Sequence, residues 1–238
     1  MIINGREITY YGAKEWSVTP SFSSISNGSQ WLPGTAAPLL LDTEIGMKKF
    51  KVSVMLEGKS RAEIWKNAGR LITALLKPAK IEFNYFQNFF YMVLTNASYA
   101  ELSLKKFHKA TLELAGYEYG REVVVENTGT RISTENVGNL PTPAVLAITP
   151  TIGKVSLTLT GLVRDRYTLE DKPITISNLT DGKTIILDGE TGLVTEGGVN
   201  KIGEVDMWGL PTLQPGYNII QMNQSGMEVE MRYKPRFV

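Results

Sequence analysis

The chain has 238 residues, enough for one large or two medium domains, and either arrangement can bury a core. Lysine and arginine number 25 against 24 aspartates and glutamates; the net charge of +1 gives no electrostatic case for sequence-specific nucleic acid or a membrane surface as partner and favours association instead. The absence of cysteine excludes disulfide staples and thiolate metal sites, and with no long apolar run and no basic-then-apolar start the sequence predicts neither membrane insertion nor a signal peptide, hence synthesis in the cytoplasm.

The first feature along the chain is residues 17–44, which carry little regular pattern. A segment that long is uncommon inside a compact domain unless it is functional or disordered. Phe22, Ile25, Trp31, Leu32 and the run Leu39, Leu40, Leu41 argue against disorder, so the segment reads as an extended arm that needs a neighbouring subunit. Strand patterns follow. Phe50, Val52, Val54 and Leu56 alternate with period two, as do Ile81, Phe83 and Tyr85 and then Tyr91 and Val93, with Gln87-Asn88 as the intervening turn. Between them Ser60-Arg61-Ala62-Glu63 has the form of a capping box, and Ile64, Ala68, Leu71, Ile72 and Leu75 recur at helical spacing until Pro78, which predicts one helix over 60–77. A long alternating strand is predicted over 107–119.

On the hairpin, the aromatic cluster Phe83, Tyr85, Phe86, Phe89, Phe90 and Tyr91 must send alternate members to opposite faces. The core takes about half of them. The rest face a second layer or a partner, because aromatic residues are enriched in interface cores. Phe86, Phe89 and Phe90 therefore join Phe22, Trp31, Leu32, Leu39, Leu40 and Leu41 as candidate oligomer-interface residues.

After Val123-Val124-Val125 the chain turns polar and glycine-rich through Asn139, which places a boundary at 128/129 between an N-terminal α+β domain with mixed sheets and a C-terminal domain. Eight short apolar runs follow, over 145–148, 155–159, 174–176, 185–187, 193–194, 205–208, 217–221 and 228–233. Turn pairs such as Asp181-Gly182 and Asp188-Gly189 separate several of them, and the pattern predicts an antiparallel β-sandwich.

Motifs that would carry chemistry are weak. Gly182-Lys183-Thr184 ends like a phosphate-binding loop, but Ser177 stands where its first glycine should be and no helical pattern follows. His108 is the only histidine, which excludes two-histidine zinc motifs, and it sits in a strand pattern with Ala110, Leu112 and Leu114. The pairs Asp188/Glu190 and Glu204/Asp206 could in principle supply the two acids of a glycosidase, yet 24 acids in 238 residues produce such pairs by chance. They read as solvated charges. No catalytic residue, cofactor or metal is expected.

Three stretches carry a resemblance: Asn136-Val137-Gly138-Asn139-Leu140-Pro141-Thr142-Pro143, Trp208-Gly209-Leu210-Pro211-Thr212-Leu213-Gln214-Pro215-Gly216-Tyr217-Asn218, and Arg232-Tyr233-Lys234-Pro235-Arg236-Phe237. Together they resemble the distal tail (Dit) family of long-tailed bacteriophages and related phage-tail-like particles. The resemblance implies a galectin-like sandwich over 129–238, and a homohexameric ring formed by residues 1–128 at the distal end of the virion's tail. It also implies as partners the tail tube and tape-measure proteins, the hub or tip protein and receptor-binding proteins. Two other classes remain open from the residues alone: a glycan-binding adhesion module, favoured by a sandwich with exposed aromatics, and a glycosidase, favoured only by the carboxylate pairs.

Overall fold

The computed structural model describes residues 1–102, 106–151, 153, 156–165 and 168–238, apart from the side chains of Leu40 and Asp42. The chain divides into two compact units, Met1–Tyr119 and Gly120–Phe237.

The first unit contains β1 (Ile2–Ile3), β2 (Arg6–Glu7), β3 (Ala13–Ser21), β4 (Ile25–Gln30), β5 (Leu39–Ile45), β6 (Lys48–Glu57), α1 (Arg61–Leu75), β7 (Ala79–Glu82), β8 (Phe89–Glu101) and β9 (Phe107–Tyr119). Seven of the strands form one sheet in the order β2-β1-β7-β8-β9-β6-β3, while β4 and β5 pair only with each other. Every described pairing here is antiparallel, where the sequence predicts mixed sheets. The helical crossover explains this: α1 leads from β6 to β7, but β8 and β9 lie between those strands, so the crossover creates no parallel neighbours.

The helix begins where its cap predicts. Ser60 Oγ accepts the Glu63 amide at 3.3 Å, and Glu63 reaches one residue further back than in the standard box, accepting the Lys59 amide at 2.7 Å. Ile64, Ala68, Leu71 and Leu75 form its buried stripe and cover a core supplied by Phe50, Val52, Val54, Leu56, Leu112 and Leu114. Gly116 is required by close approach: a Cβ there would lie 2.0 Å from the Tyr91 carbonyl oxygen across the strand pair.

The second unit contains β10 (Val123–Asn127), β11 (Arg131–Asn136), β12 (Thr142–Pro150), β13 (Leu157–Arg164), β14 (Asp171–Ile176), β15 (Ile185–Asp188), β16 (Val194–Glu196), β17 (Val199–Asn200), β18 (Val205–Met207), β19 (Thr212–Leu213), β20 (Gly216–Met222), β21 (Met227–Tyr233) and β22 (Arg236–Phe237). One sheet runs β10-β21-β12-β15-β16-β17, with β19 also on β12, and the other runs β11-β20-β13-β14-β18. Alternate residues such as Ala144, Leu146 and Ile148 of β12 and Leu157 and Leu159 of β13 fill one core. The expected runs of this half are strands; Val155, the predicted start of one, lies outside the described residues.

The division falls at Tyr119/Gly120 rather than at 128/129. Strand β10 pairs with β21, and β11, which the sequence assigns to a polar connection, pairs along its whole length with β20. Polarity hides β11 because its inward residues are Ile132, Thr134 and Asn136, so only one of the three marks a core face by hydrophobicity.

The three motifs behind the resemblance converge on one buried polar node in this unit. Asn136, 1% exposed, directs its amide nitrogen at Thr142 Oγ1 (3.1 Å) and the Gln214 carbonyl (3.3 Å), while its oxygen accepts the Gly138 amide at 3.1 Å. Thr142 Oγ1 in turn donates to the Leu140 carbonyl and accepts the Arg236 amide, both at 3.1 Å. Asn218 ties off the turn with its oxygen on the Gln214 amide (2.9 Å) and its nitrogen on the Gln214 and Gly216 carbonyls (2.8 Å each). Gly216 supplies the positive φ of 87° that the turn requires. Tyr233 donates its hydroxyl to the Glu135 carbonyl at 2.9 Å and meets Thr134 Oγ1 at 2.8 Å.

Candidate assembly surface

Residues 17–44 are more regular than the sequence suggests. Residues 17–21 complete β3 and pair with β6, and the remainder forms the β4–β5 hairpin, in register from Ile25↔Ile45 to Gln30↔Leu39. A bulge between Gly28 and Ser29 leaves Leu41 without a cross-strand partner. The pattern is unreadable in the sequence because neither strand has a buried face: every described residue of β4 and β5 is exposed. Phe22 is 92% exposed and Trp31 64%, and Ile25, Leu32, Leu39, Leu41 and Ile45 are exposed with them. The side chain of Leu40 lies outside the described residues. Apolar side chains gathered on an exposed hairpin make it the candidate interaction surface of this unit.

The aromatic cluster divides by strand alternation. Phe90 is 1% exposed and sits among Phe50 (4.8 Å between ring centroids), Phe83 (5.7 Å) and Phe86 (5.4 Å). That burial corrects its place among the interface candidates, since a side chain already enclosed by its own core has no area left for a partner. Phe86 packs against the same core and is partly buried. Phe89 lies on the opposite face, 5.7 Å from Tyr119 and beneath Lys80 Nζ, which stands 3.9 Å from the ring centroid.

A second apolar feature of this unit has no counterpart in the sequence reading. Between α1 and β8 lies a groove of about 250 Å³ lined by Trp65, Ala68, Leu71, Ala97, Ser98 and Tyr99 among others. Trp65 stacks on Tyr99 at 4.5 Å, and Tyr99 stacks on His108 at 5.4 Å. Among the described residues, the Tyr99 hydroxyl and His108 Nδ1 are buried without a hydrogen-bond partner. Trp65 sits on the helix, where no periodicity in the sequence distinguishes a groove wall from an exposed side chain.

Three of the four carboxylates suspected of chemistry hold structure. Asp188 accepts the Glu190 and Thr191 amides (2.8 and 3.2 Å) and the Thr191 hydroxyl (2.7 Å), and Glu190 pairs with Arg236. Glu204 bonds Lys201 through both oxygens at 3.0 Å, which with Glu196 nearby raises the Lys201 pKa. Gly182 and Lys183 form a turn, their amides reaching the Pro150 carbonyl (2.9 Å) and the Thr180 carbonyl (3.0 Å), and strand β15 follows instead of a helix. Among the described residues no cluster of three or more histidines and carboxylates is placed to hold a metal ion, and no helix is long and apolar enough to cross a membrane.

No protein-family model matches the chain, and no curated protein sequence does. Solved structures do. The SPP1 Dit protein (gp 19.1), described as a paradigm of the hub adsorption apparatus in phages infecting Gram-positive hosts, superposes with a TM-score of 0.78 at 16% identity, covering 100% of this chain and 98% of that one. A chain of the phage P2 baseplate in its activated conformation with Ca gives 0.53 at 11% identity over 98% of this chain and 94% of that one. The Sr form gives 0.52 at 12% identity over the same shares. The chain has a Dit-like, mostly β fold, with one α-helix among the described residues, similar to that of these phage hub and baseplate proteins.

Proposed function

We propose that this protein is a structural, non-enzymatic component of a phage tail tip, a Dit-type protein whose first unit closes with five further copies into a ring. The ring would join the tail tube and tape-measure protein to the hub, tip and receptor-binding proteins, placing the chain at the distal end of the virion's tail. The observation that carries this reading is the likeness to the SPP1 Dit protein over all of this chain and 98% of that one. The exposed β4–β5 arm supports it independently, because a monomer gains nothing by projecting seven large apolar side chains into water. A head-to-tail contact between arm and neighbour is heterologous, and closure leaves no such surface unpaired. Native mass spectrometry and electron-microscopic class averages of the purified protein test the ring. Six-fold closed particles are expected; monomers alone at high concentration and within assembled particles would overturn it.

A second reading, glycan binding by the second unit, is favoured by the exposure of Trp208 (81%) and Tyr217 (67%). Glycan-array binding by the full chain that is lost in Trp208→Ala would support it.

A further inference from the structure

We propose that the groove between α1 and β8 is the receptor for the β4–β5 arm of a second copy of this chain, with Trp31 as the inserted side chain. The proposal rests on the ring reading and specifies which surfaces make the contact. Two observations carry it.

The same unit holds a hairpin whose described residues are all exposed, several of them large and apolar, and an apolar groove beside α1. Two complementary surfaces at different places on one molecule make the heterologous contact a ring requires. At about 250 Å³ the groove is smaller than the usual range of roughly 300–1,000 Å³ for small-molecule sites, so it suits one or two side chains.

One wall of the groove is also an open strand edge. Strand β7 pairs with β8 only through Phe90, Tyr91 and Met92, so among the described strands β8 has a neighbour on one side alone beyond Met92. An incoming strand of the arm can add its backbone there while its side chains enter the groove, as in peptide recognition by strand addition. This also covers an edge otherwise open to aggregation.

The chain has no cysteine, so engineered thiols report the contact cleanly. Leu32→Cys and Ser98→Cys, both at exposed positions, are made as separate variants, mixed, assembled and oxidised. Covalent dimers in the mixture, well above those of either variant alone, are expected. Rings that form on native mass spectrometry without these dimers would overturn the docking site and leave the ring standing; failure of the unmodified protein to form rings would overturn the ring itself. An intrachain disulfide in monomers of the doubly substituted chain would show that the arm covers its own groove, which also overturns the proposal. Trp31→Ala is expected to weaken ring association by roughly 30-fold or more, as for an aromatic hot spot, without moving the monomer's melting transition. Unchanged association of that variant would exclude Trp31 as the inserted side chain.

Discussion

Asn136 and Thr142, both buried on successive strands that belong to different sheets of the second unit, are joined by a 3.1 Å hydrogen bond that links three stretches distant in the chain. Through Gln214 and Arg236 the pair reaches the turn before β20 and the segment after β21. Asn136→Ala leaves the Gly138 amide and part of the Thr142 hydroxyl's capacity unsatisfied in a buried site, which costs about 2–3 kcal/mol. Urea unfolding followed by probes in each unit is expected to show a lower midpoint for Gly120–Phe237 and an unchanged one for Met1–Tyr119.

The arm is expected to change its protection on assembly. An isolated two-stranded hairpin is marginally stable in water, and β4–β5 has no buried face to add to its backbone bonds. Hydrogen exchange of the monomer should therefore show fast exchange over 25–45 and slow exchange over 17–21, which β6 holds in the sheet. In the ring, protection should extend through 25–45. Strong protection of 25–45 in the monomer would contradict its role as an assembly element.

The carboxylates should fail as catalysts and differ from one another as structure. Asp188→Ala removes three accepted hydrogen bonds from its turn and is expected to cost about 1–2 kcal/mol of stability. Glu204→Gln alters a surface pair with Lys201 and should leave assembly within a few-fold of the parent protein. Loss of infectivity by about a hundredfold with assembly intact would be the size expected of a general acid and would revive the glycosidase reading.

Two tyrosines should ionise late. Burial at the hydroxyl, then the 2.6 Å hydrogen bond to Glu15 and its negative charge, raise Tyr85 above the ordinary value of 10.0. Burial, then Glu101, raise Tyr99, opposed by Arg61. A raised folded-state pKa means that the stabilisation by these neutral phenols is complete below pH 10.0 and is lost as pH climbs through the higher folded values. Absorbance titration of the folded chain should show late-ionising phenols, and Tyr85→Phe and Tyr99→Phe should each remove one.

The sequence exposed those elements whose burial follows a period. The α1 stripe, the alternation of β9 and the short strands of the sandwich each have a face of uniform hydrophobicity, so spacing alone reveals them. Strand β11 was invisible because Thr134 and Asn136 face inward and are satisfied by hydrogen bonds that only the folded chain assembles. The arm was visible as an anomaly but not as a hairpin, since its apolar residues follow no buried face. Phe90 counts as an interface candidate in the sequence because the composition of the cluster does not say which parity faces the core. The groove was unreadable for a different reason: it is a gap between Trp65 and Tyr99, residues 34 positions apart, and a gap leaves no mark on either residue's neighbours in the sequence.

The place of β21 between β10 and β12 sets an order of maturation. A strand made after every other strand of its sheet fills an interior position, so the second unit cannot close until residue 233 has left the ribosome. All the strands of the first unit's main sheet described within Met1–Tyr119 are available 114 residues earlier, a lead of roughly 6–23 s at ordinary elongation rates. During that interval the first unit can fold with its arm already displayed, while the other half of the chain is still an open sheet. Nascent chains on one message are then brought close together when the arm is ready and the sandwich is not, a setting in which neighbouring copies find each other before either is finished.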